Sequence, residues 1–199
     1  MENNQTIQEI EVKFLNINID EIEKKLASVN AKKIGEYFQQ WKSFDYPDWR
    51  LDKEGAWIRL RSEGDGKITL SFKKRLGMKN RTGTSNDEGM EEVEIQVSDF
   101  EQTALLLQKF GFVEKHYAEK KRTRWQKEDI EFDIDVYPKL EPYLEIETNS
   151  WEKITQAINL LGLDPADKKI FSANQVYTSL GIDVSKMKRI TFAEGLVKR

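Results

Sequence analysis

Residues 8–14, Gln8-Glu9-Ile10-Glu11-Val12-Lys13-Phe14, alternate between charged and apolar side chains. Glu9, Glu11 and Lys13 share one parity, and Ile10, Val12 and Phe14 the other. Side chains of a strand point alternately to opposite faces, so the pattern predicts a strand with one charged and one apolar face. The alternation returns repeatedly. Trp57, Arg59 and Arg61 alternate with Ile58 and Leu60, and a Glu63-Gly64-Asp65-Gly66 turn leads into a returning strand over Lys67–Lys74. Glu92 and Glu94 alternate with Val93, Ile95 and Val97. Lys120, Arg122 and Arg124 share a parity, as do Glu131, Asp133 and Asp135, and finally Glu145 and Glu147 between Leu144 and Ile146. A further strand is expected over Ile34–Tyr46, and a polar, Gly-containing loop over 75–89.

Helical spacing interrupts the strands. Ile22, Leu26 and Val29 form an apolar stripe behind Asp20, the expected cap of a helix reaching about Ala31. Ser98 is expected to cap a second helix carrying Phe100, Ala104, Leu106 and Leu107 and ending at Gly111. Ser150 should cap a third, stopped by Gly162, and the tail should hold one more helix over Ser172–Leu180. The count favours an α+β protein: about eight strands, three or four helices, and an antiparallel barrel or curled sheet.

The chain has 199 residues, which suggests one domain over 1–199, with a core at about 7–181 and a C-terminal decoration over 182–199. Of these residues, 34% are charged and 38% hydrophobic, and no apolar run approaches the roughly 18 residues of a membrane span. No basic segment followed by an apolar one opens the chain, so no secretion signal is expected and the cytoplasm is the default compartment. Cysteine is absent, which excludes disulfides, thiolate metal sites and cysteine nucleophiles. A formal net charge of −3 argues against a nucleic-acid partner unless the charges are segregated. A homodimer is compatible with the sequence.

Three amphipathic helices need an apolar surface to cover. If they coat the outside of the sheet, the charged parity faces a lumen. Such a cavity tolerates its charges only if it is wet, mutually paired and built for a charged ligand. Its acids suit hard divalent cations, Mg2+ or Mn2+, and its arginines and lysines suit phosphate oxygens. The competing reading is a solvated sheet face. Like charges at i and i+2 gain nothing from each other, which weighs against that reading once several strands share the pattern.

Glu9-Ile10-Glu11-Val12-Lys13 resembles the E-x-E-x-K signature of the CYTH superfamily, the triphosphate tunnel metalloenzymes. The later series is similar to that family's strands: Trp57-Ile58-Arg59-Leu60-Arg61, Leu70-Ser71-Phe72-Lys73, Glu92-Val93-Glu94, Lys120-Lys121-Arg122, Asp135 and Tyr143-Leu144-Glu145-Ile146-Glu147. The resemblance implies an eight-stranded antiparallel barrel forming a tunnel, with a charged lumen and helices outside. It implies divalent-metal chemistry on a triphosphate-bearing substrate, either hydrolysis of a phosphoanhydride or, as in class IV adenylate cyclases, conversion of ATP to cyclic AMP and pyrophosphate. A non-catalytic polyphosphate binder is the third reading. By similarity Glu9, Glu11, Asp135, Glu145 and Glu147 hold the metal. Lys13, Arg59, Arg61, Lys73, Lys120, Arg122 and Arg124 clamp the phosphates, and Glu92, Glu94 and Lys13 are the catalytic candidates. His116 and the tryptophans Trp41, Trp49 and Trp151 lie off the motif and are read as structural.

Overall fold

The structure is a computed structural model that describes residues 10–75 and 90–199. Glu9 and nearly all of the expected loop at 75–89 lie outside the described residues. The chain divides into two units, residues 1–37 with 120–185 and residues 38–119 with 186–199. The fold is α+β, a mostly antiparallel sheet with several helices.

In the first unit the strands are β1 (Ile10–Phe14), the first part of β2 (Lys32–Asp45), the second part of β6 (Val113–Lys127), β7 (Ile130–Val136) and β8 (Tyr143–Thr148). The order is β1-β8-β7-β6, all antiparallel. Val12 faces Ile146, which faces Phe132, and Phe14 faces Leu144, which faces Ile134. This is the apolar parity. It is covered by Ile22 and Leu26 of α1 (Ile19–Ser28) and by Ile154, Ala157 and Ile158 of α4 (Trp151–Leu160). Each fully buried large aliphatic side chain there contributes about 1.5–3 kcal/mol. A short 3-10 turn, Pro165–Asp167, and α5 (Ala173–Ser179) follow, and Ser172 and Gln175 cap α5 reciprocally.

The second unit orders its strands β2-β3-β4-β5, with β3 (Ala56–Ser62), β4 (Ile68–Arg75) and β5 (Met90–Val97). Phe44 and Leu60 pack beneath Phe100, Ala104 and Leu107 of α3 (Phe100–Lys109). The single helical turn α2 (Arg50–Lys53) is held by the buried Asp45, which accepts from the N–H groups of Leu51 and Asp52. The last residues form β9 (Met187–Thr191) and β10 (Gly195–Lys198); β9 runs parallel to β6 at Tyr117 and Ala118.

Two expectations change. The eight-stranded barrel is not closed by the described pairings: β1 and β5 each have one partner strand. The backbone edge of β1 is instead met at Lys13 by Lys169, which exchanges two hydrogen bonds with it at 2.8 and 2.9 Å. The helix caps also shift by one or two residues. Asn18, not Asp20, accepts from Glu21 N–H, and Asp99, not Ser98, accepts from Gln102 N–H. Each true cap is extended, with its side chain turned back onto the helix, whereas Asp20 already lies in the first turn. Among the described residues no helix is long and apolar enough to cross a membrane.

Candidate functional site

The charged parity of the first unit forms transverse rows, because residues directly opposite across antiparallel strands share a face. One row is Lys13–Glu145–Asp133–Arg124; its neighbour is Glu11–Glu147–Glu131. On the other side Tyr143 and Arg122 both oppose Asp135. Carboxylate oxygens of Glu11, Glu145 and Glu147 lie within 4.8 Å of one another. Three oxygen-donor anions at that spacing repel unless a cation sits near them. Lys13 supplies one: its Nζ is 2.8 Å from Glu11 and 2.7 Å from Glu145. Burial pulls the Lys13 ammonium down, but Glu145 and then Glu11 more than reverse this, so it titrates above the ordinary 10.5.

Asp135 does not join that trio. It is wholly buried and held by Lys120 at 3.0 Å and Arg122 at 2.6 Å. Burial alone would raise its pKa; Lys120 and then Arg122 hold it below the ordinary carboxylate value. Arg122 also meets Asp133 at 2.5 Å and Glu145 at 2.9 Å, while Arg124 contacts Glu131 at 2.9 Å and Asp133 at 2.7 Å. Burial takes the Lys120 ammonium below the ordinary lysine value despite Asp135, and Arg122 beside it pushes the same way. The expected phosphate contacts of this unit, Lys13, Lys120, Arg122 and Arg124, are thus all engaged with carboxylates.

In the second unit Arg59 opposes Ser71 and Ser71 opposes Glu94, while Lys73 opposes both Trp57 and Glu92. Lys73 pairs with Glu92 at 2.7 Å, and Arg61 pairs with Glu63 at 2.5 Å. The Nε atoms of Arg59 and Arg61 are buried with no hydrogen-bond partner. Burial first, and Arg61 beside it second, take Arg59 below its ordinary value. A buried guanidinium donor without a partner is costly, and Arg61 beside Arg59 adds to that cost. The catalytic candidates Glu92 and Glu94 are on this strip, both exposed.

The CYTH domain family model matches residues 8–170. The chain belongs to the CYTH domain family. This CYTH protein is 24% identical over 187 residues, 94% of its own chain and 97% of the other, to a Methanocaldococcus jannaschii protein provisionally named an adenylate cyclase. A solved Pyrococcus horikoshii OT3 structure matches it with a TM-score of 0.59 at 25% identity, covering 81% of this chain and 94% of that one. A Hippeastrum protein, provisionally an adenylyl cyclase and reported to have a dominant triphosphatase activity, matches with a TM-score of 0.57 at 18% identity over 88% and 97% of the two chains. At that identity the likeness concerns the fold alone.

Sequence reading passed over three residues of these faces in the CYTH chain. The sequence places Glu63 at the start of a turn, yet it anchors Arg61 and accepts from Gln39 at 2.8 Å. Tyr143 shares the parity of Glu145 and Glu147, and Tyr137 that of Asp133 and Asp135, which was the available signal. His116 Nδ1 lies 3.1 Å from the Met187 carbonyl oxygen.

Proposed function

We propose that this protein is a divalent-metal-dependent enzyme acting on triphosphate substrates, most simply hydrolysing a phosphoanhydride of inorganic triphosphate or of a nucleoside or organic triphosphate. The observation that carries the reading is the carboxylate trio Glu11, Glu145 and Glu147 within 4.8 Å. Hard oxygen donors of this kind fit Mg2+ or Mn2+, which prefer carboxylate and phosphate oxygen. When bound, such an ion would neutralise phosphate charge and lower the pKa of a water. Lys13, between Glu11 and Glu145, keeps the trio from repelling itself apart. Taken by itself, the second unit carries buried N–H donors on Arg59 and Arg61 of the kind that suits phosphate oxygens, with the carboxylate candidates Glu92 and Glu94 on the same strip. The triphosphatase activity reported for the Hippeastrum protein is in keeping with this reading.

The second reading is an adenylate cyclase, favoured by the provisional name of the Methanocaldococcus jannaschii relative. There the nucleophile is the ribose hydroxyl and pyrophosphate leaves.

Incubation with tripolyphosphate, ATP and thiamine triphosphate in Mg2+ or Mn2+, followed by product identification, separates the readings. Orthophosphate supports hydrolysis; cyclic AMP with pyrophosphate supports cyclisation. Tight binding with no product from any of the three would leave a polyphosphate binder and overturn both enzymes.

A further inference from the structure

An aromatic column stands beside the ion pairs of the first unit. Tyr143 and Tyr137 stack with centroids 5.8 Å apart and planes 17° from parallel. Each ring carries an ammonium: Lys13 Nζ lies 5.9 Å from the Tyr143 centroid and Lys120 Nζ 5.6 Å from that of Tyr137. Tyr177 of α5 meets Tyr137 edge-on, at 6.3 Å and 86°, and its hydroxyl donates to the Pro138 carbonyl at 2.7 Å. Tyr177 is 2% exposed. It lies beyond residue 170, where the family match ends. The segment leading into α5 also holds Lys13 directly, through the two backbone hydrogen bonds of Lys169.

A lysine ammonium is a point charge on a flexible stem, so its place depends on what fixes it. Carboxylates attract it; an aromatic face beneath restricts where it can go. A face restricts only if the ring is itself held. Tyr137 is held by Tyr143 on its face and by the Tyr177 edge, and Tyr177 is tied to the backbone at Pro138. We propose that Tyr177 is a positioning residue: through Tyr137 and Tyr143 it holds the ammonium groups of Lys120 and Lys13 in place at the carboxylate face. The inference deepens the triphosphate reading, on which its role in substrate binding rests. The alternative is that Tyr177 merely fills core.

Per-lysine acetylation, read by mass spectrometry, tests the geometry without any substrate. In Tyr177→Leu, Lys13 and Lys120 should label about fivefold faster than in the wild type, the loss of roughly one cation–π restraint. Lys25, Lys33 and Lys153 of the same unit should label as before. Tyr177→Phe keeps the ring edge but loses the hydrogen bond to Pro138, so its labelling should fall between those of the wild type and Tyr177→Leu; Tyr177→Met serves if the leucine variant does not fold. For tripolyphosphate turnover, KM should rise about fivefold with kcat retained, because the lysines would act in ground-state binding. Unchanged labelling of Lys13 and Lys120, or a uniform rise at all five lysines with a lower melting temperature, overturns the proposal. Selective labelling in a protein that turns over no triphosphate would leave the positioning role intact and remove the triphosphate reading instead.

Discussion

Lys13 and Glu145 oppose each other across β1 and β8, and their side chains meet at 2.7 Å with Lys13 2% and Glu145 6% exposed. A buried pair of this kind contributes little net stability, since desolvation offsets most of the attraction. Its value lies elsewhere. It sets Lys13 among three carboxylates on neighbouring strands, whose oxygens lie within 4.8 Å of one another.

Glu147→Gln should weaken Mn2+ binding tenfold or more, on the order of the loss of one charged ligand contact. The amide keeps shape and loses charge, so the fold should persist. Titration of Mn2+ by electron paramagnetic resonance, with circular dichroism as the fold control, checks this. Wild-type turnover in excess EDTA would contradict the metal role.

Arginines of the two units should respond differently to removal. Arg59→Ala should weaken tripolyphosphate binding by roughly ten- to a hundredfold, as each charged contact contributes about 1.5–3 kcal/mol. Its melting temperature without ligand should hold or rise, since Arg59 has an unpartnered Nε and Arg61 beside it. Arg122→Ala should instead destabilise by about 3–5 kcal/mol, because Asp133, Asp135 and Glu145 lose a shared buried partner. Equal melting temperatures for the two variants would refute the distinction.

The acid limb of stability should report Asp135 and Glu145. Burial acts to raise both, but Lys120 for Asp135 and Lys13 for Glu145 reverse it, so both titrate below the ordinary 3.8 and 4.5. Groups depressed on folding contribute fully above those ordinary values, and the contribution is lost as pH falls through the lower folded values. The melting temperature should therefore drop as pH falls below about 4. Asp135→Asn should be less stable at neutral pH and show a shallower acid decline; an unchanged slope would count against the assignment.

Ile154 is fully buried against β1 and β8. Ile154→Ala should lower stability by about 2–5 kcal/mol in chemical denaturation, through lost burial and a cavity. A change below 1 kcal/mol would mean that α4 is not the lid of that apolar face.

Strand parity was legible in the chain itself, because alternation is a property of one extended backbone. Ile10 to Phe14, Trp57 to Arg61 and Leu144 to Glu147 all present the faces their alternation announced, and the stripe of Ile22 and Leu26 packs inward as spaced. The candidate cations and acids were legible for the same reason. Their states were not. Whether Arg122 is engaged with three carboxylates while the Arg59 Nε has no partner depends on register between strands far apart in sequence, as with Arg122 and Asp135. The tail was equally opaque: Met187 and Ile190 become strand residues by pairing with Lys198 and Leu196 of β10, and Ile190 also meets β6 at Ala118. The role of Tyr177 within the expected helix over Ser172–Leu180 depends on the fold, which brings Tyr137 beside it and Tyr143 beside Tyr137. Local geometry follows from neighbours in the chain, whereas charge compensation, edge pairing and ring stacking follow from neighbours in space.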